Sequence, residues 1–70
     1  MEYLPTPESS NISQIGYDKD TSVLEVEFNS GGTYLYYDVP ESVWDLFKGS
    51  DSKGQFLHQN IKGMYRYSKA

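Results

Sequence analysis

The 70-residue chain contains no cysteine. That excludes a disulfide staple, a thiolate nucleophile and any zinc site built on sulfur. It also suits a reducing compartment, so a cytoplasmic location is expected. There is one histidine, His58. A lone histidine has no base-and-orienter partner identifiable by spacing, so no catalytic relay is expected, and no cofactor. No stretch approaches the roughly 20 apolar residues of a membrane span. Residues 1 to 10 lack the basic start and apolar run of a secretory signal. Asn11-Ile12-Ser13 fits the glycosylation sequon but reads as chance without such a signal. The chain is short enough for one domain, burying about 60% of the surface its unfolded form exposes. A deep substrate cavity would leave little core around it.

Aromatic residues are plentiful. Seven tyrosines, three phenylalanines and one tryptophan supply large buried area at low rotamer cost. The formal net charge is -4, which taken alone speaks against nucleic acid. Its distribution is uneven. Residues 1 to 51 hold all ten acids against Lys19 and Lys48, a balance of -8. Residues 52 to 70 hold Lys53, Lys62, Arg66 and Lys69 and no acid, a balance of +4. The C-terminal quarter is therefore basic.

Residues 1 to 9, with two prolines and no periodicity, are expected to be a loose lead-in, and residues 10 to 70 the folded domain. "NISQIGYD" reads as a first strand with Ile15 and Tyr17 on one face. Ile12 is out of phase with them, which predicts a bulge. "DKDTS" reads as a turn. "VLEVEF" is the clearest signal, with Leu24, Val26 and Phe28 on one face and Glu25 and Glu27 on the other. "NSGG" is a hairpin turn, and "TYLYY" a third strand. Pro40 then opens a helix. Val43, Leu46 and Phe47 are its expected buried stripe, with Trp44 at the edge. Gly49 stops it. "SKGQ", residues 52 to 55, has the Ser-x-x-Gln form of a capping box. It predicts a second helix to about Ile61, with Phe56, Leu57, Asn60 and Ile61 facing inward and Gly63 beyond its end. The expected class is α+β: a three-stranded antiparallel β-meander followed by two short helices packed on one face, then a short extended C-terminal segment.

Candidate chemistry is thin. Ser50-x-x-Lys53 has a nucleophile spacing, but that motif needs a large surrounding site and the capping reading is simpler. Asp18-x-Asp20-x-Ser22 begins like a calcium loop. Val23 stands where glycine is required and Asn29 where glutamate is required, so it reads as a turn and no metal is expected.

The tyrosines and the basic end carry more. Tyr34 and Tyr36 share one strand face. If Phe28 pairs with Thr33, they face away from the Leu24–Val26–Phe28 core. If the glycines form a bulge and Phe28 pairs with Tyr34, they join it. Lys53, Lys62, Arg66 and Lys69 interleave with His58, Tyr65 and Tyr67. Cations among aromatics suit single-stranded nucleic acid, charge meeting phosphates and rings meeting bases. An ordinary solvated helix end, lysines complementing its dipole, would look the same. The candidate nucleic-acid-binding residues are Tyr34, Tyr36, Lys53, His58, Lys62, Tyr65, Arg66 and Tyr67. The alternative is a protein–protein module using an exposed aromatic surface, the acidic front half steering a basic partner.

"SGGTYLYYDVP", "SKGQFLHQNIKG" and "YRY", in this order and spacing, resemble the KTSC domain, the short module named for the C-terminus of some lysyl-tRNA synthetases. The resemblance runs from about Ser10 to Tyr67. The family's Tyr-x-Tyr corresponds to Tyr34 and Tyr36, its Val-Pro to Val39 and Pro40, and its Ser-x-Gly to Ser52 and Gly54. Its Asn-Ile-basic step corresponds to Asn60, Ile61 and Lys62, with Tyr65 and Tyr67 as the closing aromatics. The resemblance implies a free-standing form of a domain of unknown function, for which RNA binding is inferred from its attachment to a synthetase. This chain carries no synthetase, so the inference reaches it only by analogy.

Overall fold

The computed structural model describes residues 1–7 and 9–70. Its centre is an antiparallel sheet in the order β1-β2-β3-β4-β5. The strands are β1 (Glu2–Pro5), β2 (Ile12–Asp18), β3 (Val23–Phe28), β4 (Thr33–Tyr36) and β5 (Tyr67–Lys69). Between β4 and β5 lie α1 (Glu41–Gly49) and α2 (Lys53–Asn60). The α+β class holds, with five strands in place of the three expected.

The two additional strands come from the ends. Residues 2–5 are an edge strand and not a loose lead-in, paired from Glu2↔Tyr17 to Pro5↔Gln14. Gly16 explains the docking. A Cβ there would come within 2.6 Å of the Tyr3 ring, so the missing side chain is where that ring lies. Glu2 accepts from Trp44 Nε1 at 3.3 Å on the other face. Proline marked this stretch as a loop, yet Pro5 ends an edge strand, where its missing N–H is tolerated. At the far side, the C-terminal segment becomes β5 by pairing Tyr36↔Tyr67 and Tyr34↔Lys69.

The expected bulge is present: the β2–β3 register shifts between Ile12 and Gln14, which brings Ile12 into the core beside Ile15 and Tyr17. The β3–β4 hairpin closes through Asn29, Ser30 and Gly31. The Gly31 amide donates to the Phe28 carbonyl, and the Phe28 amide to the Gly32 carbonyl. Gly31 sits at φ 99, the left-handed position this three-residue loop demands. Phe28 therefore faces Gly32, a register different from both considered above. It pairs Val26 with Tyr34 and Leu24 with Tyr36. Parity decides the outcome: both tyrosines lie on the core face.

The helices cover that face. Trp44 and Phe47 are buried, Trp44 stacked on Tyr17 at 5.5 Å and Phe47 on Phe56 at 5.2 Å. Leu46 is 65% exposed, so the buried stripe of α1 runs through Val43, Trp44 and Phe47. The i, i+3, i+4 pattern from Val43 fits either neighbour of the true face, and the larger tryptophan won it. On α2, Ser52 accepts from the Gln55 amide as a cap. Leu57 and Ile61 are buried, and Phe56 packs against the cluster. Asn60 faces solvent, contrary to expectation, its side chain donating to the Phe56 carbonyl. The opposite face of the sheet, with Tyr3, Glu25 and Tyr37, carries no helix.

Candidate nucleic-acid interface

The edge of the core face opens into a groove of about 590 Å³ lined by Phe28, Tyr34, Tyr36, Lys62, Gly63 and Tyr67. Strand register builds most of it. Tyr67 of β5 lies 5.7 Å from both Tyr34 and Tyr36, ring centre to ring centre. Phe28 meets Tyr34 edge-on at 5.5 Å. Past the end of α2, Ile61 is buried and Gly63 takes φ 81. That turn carries Lys62 across the groove, its ammonium 5.9 Å from the Phe28 ring centre. Lys69 stands opposite Tyr34, its stem alongside Gly32. Among the described residues no acid lines the groove, although the chain holds ten.

The groove grades from floor to rim. Tyr36 is 2% exposed, Tyr34 is half-buried and Tyr67 is 59% exposed. Burial holds the Tyr36 hydroxyl above the usual tyrosine value of 10.0, with the neighbouring Tyr34 and Tyr67 adding to the shift. It is therefore protonated and a donor at neutral pH.

Four of the eight sequence candidates converge here: Tyr34, Tyr36, Lys62 and Tyr67. The other four do not. Arg66 precedes Tyr67 and so projects to the opposite face. There its guanidinium lies 5.6 Å from the Tyr37 ring centre and pairs with Asp38 at 3.2 Å. Lys53 is at the start of α2, its ammonium donating to the Ser50 carbonyl at 2.6 Å. His58 is exposed on α2, and Tyr65 packs against the core. Phe28 and Gly63 were not foreseen as groove residues.

The KTSC domain family model matches residues 8–67. A lysine–tRNA ligase from Trichormus variabilis is 40% identical over 63 residues, covering 90% of this chain. The chain spans only 11% of that ligase. A protein from Tsukamurella paurometabola is 41% identical over 59 residues, covering 84% of this chain and 88% of that protein. The crystal structure of a KTSC domain protein from Yersinia pestis superposes with a TM-score of 0.92 at 40% identity, covering 99% of this chain and 96% of that one.

Proposed function

Because the chain belongs to the KTSC domain family, related to a segment of lysine–tRNA ligases, we propose that it is a non-catalytic module binding single-stranded nucleic acid, RNA foremost. One observation carries this reading: an aromatic groove lined, among the described residues, by a lysine and by no acid in an otherwise acidic chain. Phosphates gain from Lys62 and Lys69, and bases gain from the exposed ring of Tyr67. The same reading includes a cytoplasmic setting, in keeping with the absence of cysteine. No described helix is long and apolar enough to cross a membrane. Absence of catalysis rests on His58, which is exposed on α2 outside the groove. An activity lost in a folded His58→Ala variant would count against it.

The test is anisotropy with a labelled oligouridine at several salt concentrations. Affinity should fall as salt rises, with a log–log slope of about -0.7 per phosphate neutralised. Lys62→Gln should weaken binding and flatten the slope for every sequence, because phosphate contacts carry no base information. Arg66→Gln, on the other face, should change neither. No binding at low salt would refute the proposal. A second reading then takes over, favoured by the uncovered sheet face with Tyr3, Glu25 and Glu27: a docking surface for a basic protein partner.

A further inference from the structure

The deepest hydroxyl of the groove has nothing to bond to. Elsewhere the buried hydroxyls are partnered: Tyr17 donates to the Val39 carbonyl at 2.6 Å, and Thr6 to the Ile12 carbonyl at 2.7 Å. Tyr36 is 98% buried, yet its hydroxyl makes no hydrogen bond among the described residues. Among the described residues no fully enclosed side-chain oxygen or nitrogen lacks a partner. The Tyr36 oxygen must therefore open into the groove that the residue lines. Its ring is fixed by pairing opposite Leu24 on one side and Tyr67 on the other. A positioned donor at the floor of a binding groove calls for an acceptor.

We infer that the Tyr36 hydroxyl is a phosphate-recognising donor, bonding a backbone phosphate oxygen of the bound strand while Lys62 supplies the countercharge. The inference rests on the nucleic-acid reading above and specifies which part of the strand reaches the floor. A hydrogen bond to an ionised acceptor is about twice as strong as one to a neutral base edge, and more so away from water. Among the described residues the groove has a lysine and no carboxylate on its lining, and Lys69 lies nearby beside Gly32, opposite Tyr34, so an anion is the acceptor it favours. The floor group stays in its donor form at neutral pH, because burial raises its pKa. The bases are left for the rim, where the Tyr67 ring is exposed.

Tyr36→Phe removes the oxygen and keeps the ring. Binding is measured with octauridylate and with an abasic sugar–phosphate strand of the same length, and folding is checked by circular dichroism. The variant should bind both strands about tenfold or more weakly than the parent, by the same factor. Undiminished binding by a folded variant would overturn the inference and leave the nucleic-acid reading intact. A loss on octauridylate alone would place the hydroxyl on a base edge and likewise overturn it. Failure of the parent to bind either strand overturns both. Should the variant unfold, the parent labelled with ¹³C on its tyrosines decides. A shift of the Tyr36 ring signal on adding the abasic strand supports the inference, and an unmoved signal overturns it.

Discussion

Tyr17→Phe isolates one buried hydrogen bond. The ring stays, and with it the stacking on Trp44. Only the hydroxyl that donates to the Val39 carbonyl at 2.6 Å is lost. Val39 is fully buried and joins β4 to α1, its own amide donating to the Ser22 carbonyl. The deletion leaves a buried carbonyl without that donor, which costs about 1–3 kcal/mol. In a domain of this size each kcal/mol moves the melting midpoint by about 4–8 °C. Thermal and urea unfolding followed by circular dichroism should therefore show a clear drop. Tyr3→Phe is the control: its hydroxyl bonds Glu25 at 3.2 Å on the exposed face, and the midpoint should hardly move. Equal midpoints for the two variants would refute the argument that burial sets the value of these bonds.

Val26→Asp places a charge at a fully buried position opposite Ile15 and Tyr34. It should leave the domain unfolded at room temperature by circular dichroism, since so small a core cannot absorb an unpaired charge. Leu46→Gln should shift stability by less than about 0.5 kcal/mol in urea, because that side chain faces water. The raised pKa of Tyr36 also sets a sign. Above pH 10.0 the unfolded chain releases this proton while the folded one keeps it, so stability is full below that value and declines as pH rises beyond it. Tyr36→Phe should flatten the alkaline limb of a stability–pH profile.

The sequence made the middle of the sheet and the second helix cap readable, because their signals are local. Alternation in "VLEVEF" fixes β3 whatever surrounds it, and Ser52 caps α2 through a bond three residues away. The misses depend on distant partners. Residues 2–5 become a strand because Gly16 leaves room for the Tyr3 ring, a fact written at two separated positions. Leu46 and Trp44 compete for one helix face, and the contest is settled by Tyr17, a strand residue. The floor position of Tyr36 hinges on hairpin register, which one residue of slip would reverse. Four groove residues were legible as an aromatic, basic cluster. Arg66, grouped with them by counting charge along the chain, lies instead on the other face, because neighbours in a strand point opposite ways.

The order of the strands has a consequence for how the domain can be carried. β1 and β5 occupy opposite edges of the sheet, so a polypeptide joined ahead of Met1 would meet the domain with three strands between it and β5 with its tyrosine. The wall formed by Tyr34, Tyr36 and Tyr67 would stay unobstructed by the linker. That layout lets one fold serve both as an independent protein and as a tethered part of a larger one, as in relatives where it spans 88% or 11% of the chain. If the groove binds as proposed, a linker in the tethered case would hold it at a high effective concentration near whatever the larger protein binds. A weak site would then gain avidity without any new contact of its own.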